Sequence, residues 1–279
     1  MRPSAGKGRG LFALRRIRAG ERIFTEEPLL AIRPPAPAHP GQGYRADEVA
    51  VVADAAAAAL SSAGRAEFLA CHEHRGPGEE AERVRSPASY ARRRALYVLR
   101  SNAYMLPDGR SAVFPRLARA NHDCAPSAAH IWHPAARGDR VALVAARDIA
   151  AGEEITVTYV DLLTDATARR ERLAQYGFRC GCAVCAAATG AAGGTDPRRE
   201  RMGTLLRTLA AYLPAGGDGG AENARLMLWA EELVRLLEED ALLDYLPQAY
   251  GFAARLASLL GDREAAAGWR GKEERVLSL

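Results

Sequence analysis

The segment Phe178-Arg-Cys180-Gly-Cys182-Ala-Val-Cys185 packs three thiols into six residues. A tetrahedral zinc site wants four sulfur or imidazole ligands, and a Cys-x-x-Cys turn presents two of them at once. A fourth ligand must then come from elsewhere, so the fold has to carry a distant segment to the triplet. Cys124, in Asn121-His122-Asp123-Cys124-Ala125-Pro126, is the candidate. If it is the fourth ligand, the ion clasps the Asn-His segment to a part of the chain that local structure could not reach. Free cysteines also pack as small hydrophobes, but such residues seldom cluster as Cys-x-Cys-x-x-Cys, and disulfides need an oxidising compartment. The remaining thiol, Cys71, stands beside His72 and His74. A lone Cys-His-x-His lacks the ligands of a closed site, and it reads as structural or incidental.

A chain of 279 residues has ample length for a sizeable core, as one large domain or two smaller ones. Its start, Met1-Arg-Pro-Ser-Ala-Gly-Lys-Gly-Arg, is basic but has no apolar segment after it, and no apolar run is long enough to span a bilayer. Secretion and membrane insertion are disfavoured, and an intracellular protein of the nucleus, the cytoplasm or both is expected. The formal charge of +4 is mild, and no basic tract has the length of a nucleic-acid footprint. Arg92-Arg93-Arg94 reads as the solvated face of a helix.

Two segments share one pattern, Arg15-Arg-Ile17-Arg-Ala19-Gly20-Glu21-Arg-Ile23 and Arg147-Asp-Ile149-Ala-Ala151-Gly152-Glu153-Glu-Ile155. Each reads as strand-turn-strand, with glycine supplying the positive φ of a tight connection. The runs Leu11-Phe-Ala-Leu14, Val141-Ala-Leu-Val144 and Ile155-Thr-Val-Thr-Tyr159 are short and rich in strand formers. Between them, Pro34, Pro35, Pro37, Pro40 and Gly41 break the chain, and Asp47 to Leu60 is alanine-rich and helical. Pro87 opens another helix carrying Tyr90, Leu96, Val98 and Leu99. After Cys185 the run from Ala186 to Thr195 reads as a flexible linker. Asp196-Pro197 then caps a helix; Leu226, Trp229, Leu233, Leu236 and Leu237 recur at helical spacing, and Asp262 caps the last helix.

Four motifs in order, Gly6-Lys7-Gly8-Arg9-Gly10-Leu11-Phe12, Asn121 to Pro126, Gly152-Glu153-Glu154-Ile155-Thr-Val-Thr-Tyr159 and Phe178 to Cys185, resemble those of SET-domain protein lysine methyltransferases. The spacing from Tyr159-Val-Asp-Leu-Leu to Arg-Leu-Ala-Gln-Tyr176-Gly-Phe178 is similar to the SMYD-like branch and related fungal SET proteins. The resemblance covers about residues 5–186. It implies an α+β fold: a knotted β-fold SET domain in two parts, 1–35 and 106–178, with a helical insertion at 36–105. A cysteine-rich post-SET zinc segment at 179–186 and an α-helical C-terminal domain at 196–279 complete the expected layout.

The same resemblance implies S-adenosyl-L-methionine as cofactor, one structural zinc ion and a protein or peptide substrate bearing lysine. Lys7, Gly8 and Arg9 would contact the methionine part of the cofactor, and Asn102 would help hold it. Asn121 and His122 would meet its amino group and adenine, with Phe178 covering the adenine. Tyr159 would stand at the transfer site, also touching cofactor, and Tyr176 would line the lysine channel with it. The metal ligands would be Cys124, Cys180, Cys182 and Cys185. Two positions depart from the family pattern: Asp123 stands where serine is usual and Ser127 where asparagine is usual. The two-zinc MYND module of animal SMYD proteins is also missing, since Cys71 has no partner cysteines within the insertion. A monomer without direct nucleic-acid binding is expected. The competing reading is a catalytically weak SET-fold module that binds a peptide.

Overall fold

The computed structural model describes residues 1–36, 45–133, 139–191, 196–213 and 219–279. The first strands are β1 (Arg2–Ser4), β2 (Gly8–Phe12), β3 (Arg22–Glu26) and β4 (Leu30–Ile32). Four helices follow, α1 (Ala46–Ala58), α2 (Ser62–Leu69), α3 (Pro77–Arg85) and α4 (Pro87–Asn102). The chain then returns to strands: β5 (Ala103–Met105), β6 (Ser111–Val113), β7 (Asn121–His122), β8 (Ala128–His133), β9 (Arg140–Ala145) and β10 (Glu154–Val157). It finishes with α5 (Ala166–Ala174), α6 (Ala183–Ala191), α7 (Pro197–Tyr212), α8 (Gly220–Glu239), α9 (Leu246–Leu259) and α10 (Arg263–Leu277).

Three small sheets form the β part, in the orders β1-β2-β10-β7, β3-β9-β8 and β4-β6-β5. The two Ala-Gly-Glu turns take the expected form, with Gly20 at φ +77° and Gly152 at φ +86°. They also pair with each other, through an antiparallel bridge between Ile17 and Ile149. Among the described residues, only β7 and β10 pair in parallel, with Thr156 opposite Asn121 and Val157 opposite His122. That pairing sets the Asn-His segment beside the strand leading to Tyr159.

β9 explains how the helices join the sheets. Val141, Leu143 and Ala145 point into one core with Phe114, Leu117, Ile149, Ile155 and Val157. Their neighbours Ala142 and Val144 point into a second core shared with Met202, Leu205, Leu226 and Leu233. Side chains alternate across a strand, so an unbroken apolar run such as Val141–Val144 is what a strand covered on both faces requires. The C-terminal helices therefore share a core with the β part. A third core unites Val49, Ala53, Phe68, Val98 and Leu99 of α1, α2 and α4 with Leu30, Ile32 and Val113. Arg93 and Arg94 close ion pairs with Asp47 and Glu73 within this helical region.

The expected caps are present. The Asp196 side chain accepts from Arg199 N–H at 3.3 Å and the Asp262 side chain from Ala265 N–H at 2.9 Å. One expectation fails: Ala186–Ala191 are not a linker but continue α6, which starts at Ala183. Ala186 N–H already donates to Cys182 O at 2.9 Å, so the cysteine turn nucleates a helix that the alanines extend. Residues 192–195 of the expected linker, and the chain break from Pro37 through Pro40 and Gly41, lie outside the described residues.

Gly203 lies buried within α7, where a Cβ would stand 2.2 Å from the carbonyl oxygen of Leu163. Alanine normally strengthens a helix interior by close to 1 kcal/mol over glycine. Here Gly203→Ala is expected to destabilise by about 1–3 kcal/mol instead, since the backbone contact must open. Denaturant unfolding checks the sign; a variant more stable than the parent would contradict this docking of α7.

Candidate active site and metal centre

Three segments meet along the β7–β10 pair. The β1–β2 hairpin brings in Lys7, whose Nζ donates to His122 O at 3.2 Å. Lys7 also lies 3.8 Å from Asp123 and 3.9 Å from Glu154. Asn121 Nδ2 donates to Glu154 Oε1 at 2.7 Å and to Arg9 O at 3.3 Å. Glycine at position 10 is what allows this, because a Cβ there would stand 2.2 Å from Glu154 Oε1. Asp123, the first departure from the family pattern, thus faces Lys7 and accepts from Ala125 N–H at 2.9 Å. Ser127, the second, is fully buried and held between strands: its Oγ donates to Glu154 O at 3.2 Å and accepts from Thr156 N–H at 2.9 Å. Both departures find local partners.

His122 is the hinge of the arrangement. Tyr159 N–H donates to its Nδ1 at 3.1 Å, so the neutral ring carries its proton on Nε2. Nε2 lies 3.3 Å from Cys124 Sγ, which makes the sulfur the acceptor. Burial pushes the His122 pKa down to about 4, which keeps the ring neutral at physiological pH. One imidazole therefore links the backbone of Tyr159 to a cysteine of the metal cluster.

Aromatic rings gather around it. Tyr159 lies 5.5 Å from His122, 5.2 Å from Tyr176 and 6.4 Å from Phe178, centroid to centroid. The Tyr159 hydroxyl donates to Ala120 O at 2.7 Å. Burial, reinforced by Tyr176 and Glu154, pushes its pKa upward, so it works as a neutral hydroxyl rather than a phenolate. Beside it opens a cavity of about 360 Å³, whose lining includes Asn102, Tyr104, Tyr159, Asp161, Tyr176 and Tyr245.

Asn102, Tyr159 and Tyr176, all expected at the site, line this one cavity. Lys7, in the turn before β2, and Arg9, Asn121 and His122 lie along the β2-β10-β7 part of the first sheet. Asn102 spends its amide on His72 O and Val98 O, each at 2.6 Å. Sequence reasoning missed Tyr104, Glu154, Asp161, Asp244 and Tyr245. Asp161 and Tyr245 belong together: the Tyr245 hydroxyl donates to Asp161 Oδ1 at 2.9 Å and accepts from Leu162 N–H at 2.8 Å. Asp161 carried a signal, sitting two residues beyond Tyr159, whereas Tyr245 lies in the helical region and only the tertiary fold brings it here.

The four cysteines converge as well. The sulfurs of Cys124, Cys180, Cys182 and Cys185 all lie within 4.8 Å of one another, while Cys71 stays apart and faces Glu67 O. Four converging sulfurs fit one tetrahedral zinc ion. The donor set asks for a cation, because four thiolates held this close repel one another. The thiols thus cannot all ionise unaided, and a divalent ion is what makes four thiolates compatible.

A hairpin, an Asn-His strand paired in parallel with the strand before a tyrosine, and a cysteine clasp define a class. Residues 8–160 match the SET domain, and the chain belongs to the SET-domain family. It is 30% identical over 282 residues to the histone-lysine N-methyltransferase set5 of Schizosaccharomyces pombe, an alignment spanning 99% of this chain and 77% of that protein. Human histone-lysine N-methyltransferase SMYD3 is 36% identical over 74 residues, 26% of this chain and 16% of its own length. Among solved structures, the SET domain of LSMT bound to lysine and AdoHcy aligns over 98% of this chain and 87% of that one, with TM-score 0.40 and 14% identity.

Proposed function

We infer that this chain is a protein lysine N-methyltransferase that uses S-adenosyl-L-methionine and carries one structural zinc ion. The observation that carries the reading is the near full-length relationship to a histone-lysine methyltransferase, with Tyr159 seated between the His122 edge and an aromatic cavity. Among the described residues no helix is long and apolar enough to cross a membrane. We place its action inside the cell, in nucleus or cytoplasm, on a lysine of a histone or another protein, and we read it as a monomer.

In this reading the charged edge of Lys7, Gly8, Arg9, Asn121 and His122, with the Phe178 ring beside it, fits a zwitterionic ligand that also bears an adenine. The cofactor, when bound, supplies a methyl group already activated by a sulfonium. The chain's residues then have to present a neutral amine in line with it. A free lysine has a reference pKa near 10.4, so at neutral pH its ammonium must first give a proton to water. Walls of Tyr104, Tyr159, Tyr176 and Tyr245 disfavour the charged form by desolvation. The Tyr159 hydroxyl, fixed by its donation to Ala120 O, keeps oxygen lone pairs with which to accept an amine N–H and fix its direction. The Asp161 and Asp244 carboxylates sit in the same cavity and suit the approach of a cationic side chain.

Cofactor binding is the first test. At about a hundred times its Kd, S-adenosylmethionine should stabilise the folded chain by about 2.7 kcal/mol, read as a rise in Tm. Asn121→Ala removes the group joining Arg9 O to Glu154 and is expected to weaken cofactor binding about tenfold, shrinking that rise. A zinc-replete, reduced wild type that shows no binding heat in calorimetry would contradict the proposal.

A further inference from the structure

Arg170 and Arg199 donate to carbonyls of the cysteine cluster, and Arg169 lies next to Arg170 on α5. Arg170 donates from Nη2 to Cys185 O at 2.6 Å, and Arg199 from Nη2 to Cys124 O at 3.4 Å. Arg169 has a fully buried side chain, donates to Thr164 O and pairs with Asp196 at 3.0 Å. The Arg199 side chain is 5% exposed and pairs with Asp240 at 3.3 Å. Among the described residues, five buried side-chain polar atoms lack a partner, and three of them are Arg169 Nε, Arg170 Nε and Arg199 Nη1. A buried donor left unsatisfied is costly, more so when charged. These orphans fall on three arginines of one region and none has a cysteine sulfur as partner, so the cluster meets them through charge rather than through hydrogen bonds to sulfur.

Zinc with four thiolates carries a formal double negative charge in a buried place, whereas four neutral thiols carry none. We propose that Arg169, Arg170 and Arg199 form a guanidinium shell that offsets part of the charge of the zinc-thiolate centre and makes the seating of α7 and α8 depend on the bound ion. The shell reaches those helices through Asp196, which caps the start of α7, and Asp240, at the end of α8. Arg169 and Arg170 belong to α5. Three helices thus converge on one ion through groups that are not its ligands. Metal removal leaves the arginines facing protonated thiols, with Asp196 and Asp240 as their carboxylate partners. The shell rests on the zinc reading of the four cysteines.

The test uses the full chain, loaded with zinc under reducing conditions, and first measures its zinc content. Competition with a metallochromic chelator then gives the zinc affinity of wild type, Arg199→Met, Arg199→Lys and Arg170→Gln. Loss of an outer partner typically costs about 10–100-fold in metal affinity, and that loss is expected for Arg199→Met and Arg170→Gln, with Arg199→Lys recovering most of it. Stripping zinc from the wild type should raise amide hydrogen exchange in Pro197–Tyr212 while Arg140–Ala145 stays protected. If Arg199 serves packing alone, Arg199→Met changes stability equally with and without zinc and leaves the affinity unaltered. Folded variants Arg199→Met and Arg170→Gln within about twofold of the wild-type affinity would overturn the shell. Should Arg199→Met fail to fold, the partly buried Arg170 decides through Arg170→Gln alone. A wild type without zinc refutes the clasp itself, and the shell with it; a zinc-loaded wild type with unaltered variants refutes only the shell.

Discussion

Tyr159→Phe should lower methyl transfer about a hundredfold, the scale seen when one preorganised hydrogen-bonding group is removed from a reacting centre. Phenylalanine keeps the ring that packs against His122, Tyr176 and Phe178 and deletes only the hydroxyl now fixed by Ala120 O. That hydroxyl acts on the approaching amine, so cofactor affinity should stay within about threefold of wild type while turnover collapses. Rate and binding therefore part company in one variant. Equal turnover for the two proteins would remove Tyr159 from the transfer site.

Cys182→Ser is the second large effect. A serine alcohol stays protonated where a thiol ionises, so three thiolates remain and the loss of zinc affinity should exceed the 10–100-fold or so of an outer-partner change. Elemental analysis should give one zinc per chain in wild type and almost none in the variant. The consequence reaches the transfer site through His122, whose Nε2–H faces Cys124 Sγ while its Nδ1 holds Tyr159 N–H. Hydrogen exchange should rise around Phe178 and Tyr159, and cofactor affinity should fall with it. A fully folded, metal-free wild type would contradict the clasp.

Much of this was legible in residues with a local cause. The cysteine triplet announced a metal site by spacing, Asp196 and Asp262 announced helix starts by capping, and the Ala-Gly-Glu segments announced turns through glycine. What stayed hidden depends on topology. No local pattern reveals that Tyr245 bonds to Asp161, because the fold must first lay the helical region against the β part. Val141–Val144 read correctly as a strand, yet its unbroken apolar run also signalled cover on both faces, which is how the C-terminal helices come to share its core. The run after Cys185 misled because alanine and glycine together suggest flexibility. The cysteine turn had already started a helix there, and Ala186–Ala188 carried it on.

Incubation of the zinc-replete chain with methyl-labelled S-adenosylmethionine and a protein extract, read by mass spectrometry of the labelled peptides, tests the central claim most directly. Label should appear on lysine side chains with wild type and all but vanish with Tyr159→Phe. Tight cofactor binding by a wild type that labels no lysine, either in the extract or in purified histones, would contradict the assignment as a lysine methyltransferase.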